Sequence, residues 1–177
     1  MARESVWTKL TGRPPLRNHV AMGMKTIAAA QPFLDRQENL AIWHAAYEGS
    51  EESILHANPL FCETFDLSLA EILERKRYQL VNPPGTPTEI IEQYRAEDRE
   101  AIDRGYFLQR GPFEKGNDIL VLKLRFERGI LGMFKVINSN LPGSGNFPRD
   151  LDADFLQVIE SLRPDLLDQG SDPRSMN

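Results

Sequence analysis

The side chains with chemistry to offer are few. His44 lies in the apolar run Leu40–Tyr47 and His56 in Ser53–His56, so two paired strands would bring the rings towards each other. A metal centre wants a third ligand and carboxylates behind its ligands. No His-x-x-x-His or Cys-x-x-Cys spacing supplies them, which leaves satisfied or surface histidines. The single cysteine, Cys62, begins an expected helix, where a thiolate is favoured. Its setting between Phe61 and Phe65 is that of a small core residue instead. Gly143-Ser144-Gly145 lacks the Lys-Ser/Thr of a phosphate loop and sits among prolines as a linker. The carboxylates are plentiful but fall on helix faces and in turns, not as an acid/base pair in a deep pocket. The sequence therefore predicts no enzyme, no metal and no cofactor. The alternative is a small α+β enzyme of the isomerase or dehydratase kind, with an acid/base in its pocket.

Composition narrows the class further. A chain of 177 residues, 41% hydrophobic and 27% charged, fits one globular domain with extensions. The net charge of −5 and one short basic cluster, Arg75-Lys76-Arg77, argue against a nucleic-acid surface. One cysteine excludes an intrachain disulfide and fits a reducing compartment. No apolar run approaches the roughly 20 residues that span a membrane, and the start lacks a signal-peptide core. The expectation is a soluble cytoplasmic protein.

The elements that must position these residues are legible from patterning. Asn18–Gln31 predicts a helix capped by Asn18 and ended by Pro32, with Val20, Met24 and Ile27 on one stripe. Leu40–Tyr47 and Ser53–His56 predict a hairpin, and Asn58–Phe65 a short helix. Ser68-Leu69-Ala70-Glu71 and Thr86-Pro87-Thr88-Glu89 both match the capping box, opening helices to about Arg75 and Arg104. In the second helix Glu97-Asp98-Arg99-Glu100 reads as a solvated face, with a possible break near Ala96. Tyr106–Lys115 is a third strand, disturbed at Gly111-Pro112, which makes it an edge or a bulge.

Ile119–Phe126 and Ile130–Asn138 are two β-rich runs around Glu127-Arg128-Gly129, a second hairpin. With Phe126 facing Ile130, Leu120, Leu122, Leu124 and Phe126 share a wholly apolar face with Ile130, Gly132, Phe134 and Val136. The opposite face, with Val121, Lys123, Leu131, Met133, Lys135 and Ile137, is half apolar. Such a sheet needs a core on one side and a partial cover on the other. Asp150–Leu167 predicts a terminal helix, kinked or stopped at Pro164, and the polar residues 168–177 a disordered tail.

Strand, strand, short helices, a longer helix and three strands is an order that resembles the PAS domain. Ser53-Ile54-Leu55-His56-Ala57-Asn58-Pro59-Leu60-Phe61-Cys62 is similar to its signature of a strand ending in Asn before Phe and a short helix. Phe65-Asp66-Leu67-Ser68-Leu69-Ala70-Glu71-Ile72-Leu73-Glu74 resembles its next segment and Leu80-Val81-Asn82-Pro83 the loop after it. Asp66 and Glu74 stand where the family usually has Gly, and the insert from Gly85 to Gly105 is long. The likeness covers about residues 38–138. The expected organisation is an N-terminal extension with a helix (1–37), a PAS-like domain (38–140), a linker with the C-terminal helix (141–167) and the tail.

The resemblance implies an α+β fold: a five-stranded antiparallel sheet with helices on one face, plus flanking N- and C-terminal helices. It implies a stand-alone sensory or protein-interaction module in signal transduction. Such a module acts as a homodimer or through a signalling partner; the space between sheet and helices either holds a small-molecule ligand or, as close packing favours, is a filled core with the polar groups on its rim. Candidate ligand residues are Asn58, Phe61, Phe65, Ile72, Arg77, Tyr78, Tyr94, Ile102, Leu122 and Phe134. The expected dimer or partner surface carries Val20, Met24, Ile27, Val121, Leu131, Met133 and Ile137. The segment Lys76-Arg77-Tyr78 has no cysteine where flavin-binding light sensors of this family carry theirs, and Glu89–Arg104 has no histidine for a haem.

Overall fold

The computed structural model describes residues 24–48, 51–75, 85–140 and 146–169. It is α+β. The elements are α1 (Ile27–Leu34), β1 (Ala41–Glu48), β2 (Glu51–Ala57), α2 (Pro59–Phe65), α3 (Leu69–Leu73) and α4 (Thr88–Arg104). After them come β3 (Tyr106–Pro112), β4 (Asn117–Phe126), β5 (Gly129–Asn138), α5 (Ala153–Leu162) and α6 (Asp165–Gln169). The strands form one antiparallel sheet in the order β2-β1-β5-β4-β3, with the first and last strands of the sequence in the same layer. This is the PAS-like architecture that the order of elements implies.

Local chemistry explains most of the boundaries. The Asn58 side chain caps α2, with Pro59 at the first helical position. At α3, Ser68 and Glu71 form a full capping box. Three expectations need correction here. The Thr86 capping box is not the start of α4, whose N-cap is Pro87 with no side-chain cap bond, and the helix runs 17 residues without a break at Ala96. Pro32 lies inside α1, not after it, and the N-cap among the described residues is Thr26, which accepts from the Ala29 amide. Asn18 and Val20, like residues 141–145 and the tail from 170, fall outside the described residues. Pro164 separates α5 from α6, and Pro112 ends β3, an edge strand that among the described residues pairs with β4 alone.

The β4–β5 register is one residue away from the expected one. Phe126 pairs with Gly129, not Ile130, through a two-residue turn with Glu127 at φ 52°. A one-residue slip turns every β5 side chain to the other face relative to β4. Leu131 and Met133 therefore join Leu120, Leu122, Leu124 and Phe126 on one face, and Phe134 joins Val121 and Lys123 on the other. Gly129 lets β1 lie close against the end of this hairpin, since a Cβ there would lie 1.9 Å from the Ala45 carbonyl oxygen.

Both faces are covered. The outer face packs α1, α5 and α6 against Leu122, Leu124, Leu131 and Met133, with Phe155, Val158 and Ile159 fully buried. The inner face packs α2 and α3 around Trp43, Phe61 and Ile72, and α4 lies against β3, β4 and β5. The roles of the two faces are thus the reverse of those expected. The wholly apolar β4 face receives the terminal helices, and the face with Val121 and Lys123 receives the mid-chain helices.

Candidate functional site

Between the inner sheet face and helices α2 and α4 lies a cavity of about 560 Å³. Its wall is mainly aromatic and aliphatic. β1 contributes Ala41 and Trp43, α2 contributes Leu60, Phe61 and Phe65, and β4 and β5 contribute Ile119, Val121, Phe134 and Val136. The indole of Trp43 packs over Gly132, where a Cβ would come within 2.0 Å of the ring. The absent side chain is what lets the indole lie down against the sheet. Phe61 and Phe134 stand 5.6 Å and 6.3 Å from Trp43 between centroids, a tilted aromatic cluster.

The polar groups of the wall are held by the protein itself. Lys123 comes from the middle of β4 and is 1% exposed. Its Nζ donates to Glu97 Oε2 at 2.7 Å and Asp98 Oδ1 at 2.8 Å. Both carboxylates come from α4 and are buried, Asp98 completely. Gln93 donates to the other Glu97 oxygen at 3.3 Å. The ammonium also lies 5.4 Å from the Phe107 ring and 6.0 Å from the Tyr94 ring. Lys135 borders the cavity, but its side chain lies on the outer face, where its Nζ donates to Asp152 and Asp154 at 2.7 Å and 2.6 Å. Burial lowers the Lys135 pKa, but these bonds more than offset it and hold the ammonium above its usual range.

Of the residues expected at a ligand site, Phe61, Phe65, Tyr94 and Phe134 stand in the cavity wall. Ile72 is fully buried in the inner core behind the cavity. Asn58 is fully buried and engaged with the backbone around it. Ile102 is half-buried on α4 and outside the wall. Leu122 is a correction: it points into the outer core, because alternation puts it on the opposite face from Val121. Arg77 and Tyr78 lie outside the described residues.

The expected interface set is also redistributed. Val121 lines the cavity. Leu131 and Met133 are completely buried under the chain's own helices, so they offer no surface to a partner. Met24, Ile27 and Ile137 pack at the margin of that same core. The reading of Glu97-Asp98 as a solvated face is overturned, since both meet Lys123. The signal was a lone lysine inside Leu120-Val121-Leu122-Lys123-Leu124, which must find carboxylates if the strand is covered.

The histidines sit side by side, His44 opposite His56 in the β1–β2 ladder. His56 Nε2 meets Asp35 Oδ1 at 2.8 Å, tying β2 to the end of α1. His44 is 1% exposed, edge-on to Phe126 and 4.0 Å from Glu127. Burial pushes its pKa below the usual value, against the Phe126 backbone and Glu127, which raise it. The unfolded chain therefore binds a proton that the fold refuses, and stability falls as pH drops below the unfolded histidine value of about 6.5. A His44→Leu variant is expected to lose less stability than the parent between pH 7 and pH 5 in urea titrations. An equal loss in both would place the proton elsewhere. Burial likewise raises the Cys62 thiol, away from nucleophilic chemistry. No cluster of three metal-ligating side chains occurs among the described residues.

No family model and no curated protein matches the sequence. Among solved structures, a light-oxygen-voltage domain whose mechanism was probed with a flavin analogue is similar to this chain. It is 21% identical, with 64% of this chain and 85% of that chain covered at a TM-score of 0.35. A likeness of that size says nothing about ligand or mechanism, and the α+β assignment rests on the sheet itself. Among the described residues no helix is long and apolar enough to cross a membrane.

Proposed function

We propose that this chain is a PAS-type sensory module, non-catalytic, that takes a small neutral aromatic molecule into the inner cavity and signals through a partner protein or a second copy of itself. The observation that carries this reading is the cavity of about 560 Å³, a size typical of small-molecule sites, with an aromatic wall and few polar groups. The neutral character follows from Lys123, which already holds two carboxylates. An anion would have to displace them, and a cation would face its ammonium. Desolvating either ion without a partner costs far more than burying a neutral ring. The lone cysteine is in keeping with a reducing, cytoplasmic setting.

A matched pair of dyes tests the reading. N-phenylnaphthylamine is neutral, and anilinonaphthalene sulfonate is the same ring system with one negative charge. The neutral dye is expected to bind one per chain at least about tenfold tighter than the sulfonate, a difference of about 1.4 kcal/mol. If neither binds, the receptor reading fails; if the sulfonate binds as well, the neutral class fails.

A second reading, a small isomerase- or dehydratase-type enzyme, has one observation in its favour: Glu97 is a carboxylate in the cavity wall. Both its oxygens are already engaged by Gln93 and Lys123, which leaves it poorly placed to move a substrate proton.

A further inference from the structure

We infer that the ligand of this cavity carries an aliphatic chain, which leaves the cavity over an apolar lip at the end of the sheet. The inference rests on the receptor reading above and adds the second half of the ligand. Cross-strand partners that share a face form rows across the sheet. The deepest row in the cavity runs Trp43, Gly132 and Lys123. The next runs Ala41, Phe134 and Val121, and the one after it pairs Val136 with Ile119. Exposure rises in that order. Trp43 and Lys123 are 5% and 1% exposed, Phe134, Val121 and Ile119 are half-buried, and Val136 is 43% exposed. The cavity therefore opens at the row of Val136 and Ile119. Phe113, just past β3, also lines it and is 47% exposed. Its amide donates to the Asn117 carbonyl, which places it at the same end of the sheet.

The polarity of this passage selects the chain. The charged end, Lys123 with Glu97 and Asp98, is the buried one, and the end that meets water is built from Phe113, Ile119 and Val136. Scattered exposed apolar side chains are ordinary, but these continue the wall of the cavity and form one apolar surface with it. The deep end offers the aromatic faces of Trp43, Phe61 and Phe134 to a ring. From Lys123 to Ile119, β4 advances by roughly 13 Å. A chain that continues from a ring held at Trp43 thus lies along Ile119 and Val136 before it reaches solvent. Beyond them the ladder pairs Asn117 with Asn138, uncharged amides at which the apolar surface ends. Methylenes on this lip take its side chains out of water, whereas a charged tail would gain nothing from them.

Displacement of N-phenylnaphthylamine from the full chain by methyl and hexyl 2-naphthoate tests this, since the two neutral esters share a head and differ in chain length. A half-buried methylene multiplies affinity about twofold, so the hexyl ester is expected to bind about thirtyfold tighter than the methyl ester. Val136→Thr combined with Phe113→Ser makes the lip polar at exposed positions. It is expected to lower the hexyl-to-methyl ratio at least about threefold. Dye binding with a ratio near one in the parent, or with neither ester displacing the dye, overturns the chain and leaves the receptor reading standing. A ratio in the double variant equal to that of the parent overturns it too, because the chain would then lie elsewhere. Absence of dye binding to the parent removes both. Should the double variant not fold, Phe113→Ser alone, outside the sheet, gives the same comparison with a fall of about twofold.

Discussion

Lys123→Met is expected to destabilise the protein by roughly 3–5 kcal/mol, the usual consequence of removing one partner from a buried ion pair. The lysine is nearly inaccessible, and its ammonium lies between Glu97 and Asp98, which come from a different element and are buried with it. Methionine fills much the same volume, so little of the loss arises from packing. What remains is a pair of carboxylates facing an apolar wall. The charge itself is the cause, so the loss is non-additive. Combining Lys123→Met with Glu97→Gln should cost less than the two single changes summed, with a coupling on the order of 1–3 kcal/mol in a double-mutant cycle. Urea denaturation of the four proteins measures it. Additive losses would mean that the contact is solvated and that α4 is held by other means.

Asn58→Ala is expected to cost roughly 2–4 kcal/mol, since several buried backbone groups lose a partner at about 1 kcal/mol or more each. The Asn58 carboxamide oxygen accepts from the Ile42 and Phe61 amides at 2.9 Å and 3.0 Å. Its nitrogen donates to the Leu40 carbonyl at 2.8 Å, with the Leu34 and Gln37 carbonyls at 3.4 Å and 3.3 Å. One side chain therefore joins the end of α1, the approach to β1, β1 itself and the start of α2. Asn58→Asp is a sharper test because the shape is unchanged. It keeps the acceptor but loses the donor, and turns a carboxylate towards backbone carbonyls. That variant should be destabilised as well, increasingly so as the pH is raised and the carboxyl ionises. A thermal melt of Asn58→Asp that matched the parent at neutral pH would reduce Asn58 to an ordinary helix cap.

Much of this fold is legible locally. The Asn58 cap, the Ser68–Glu71 capping box, the proline at the β3 edge and the break at Pro164 depend on residues a few positions apart, and the structure contains each. The register of the second hairpin was not legible, because Glu127-Arg128 carries none of the Asn or Gly that marks a two-residue turn. That single slip reassigned Leu131, Met133 and Phe134 between faces. It also reversed which helices cover which side, since the outer core depends on α5, far along the chain. The Lys123 site was hidden for a related reason. Charged runs on helices usually face water, and only the partner strand, 25 residues further along the chain for Asp98, reveals that Glu97 and Asp98 do not. The aromatic cavity wall was half visible. Phe61, Phe65, Tyr94 and Phe134 belong to recognisable elements, but the contribution of Trp43 depends on the bare backbone of Gly132 across the ladder.

The proposed ligand, a small neutral ring system, fills the space between the inner sheet face and helices α2 and α4. Intermolecular nuclear Overhauser effects from bound N-phenylnaphthylamine locate it directly. Cross-peaks are expected from the dye to the rings of Trp43, Phe61 and Phe134 and to the methyls of Val121. Cross-peaks confined to Phe155, Leu156 and the other residues of α5, or a bound dye with no contact to Trp43, would contradict it.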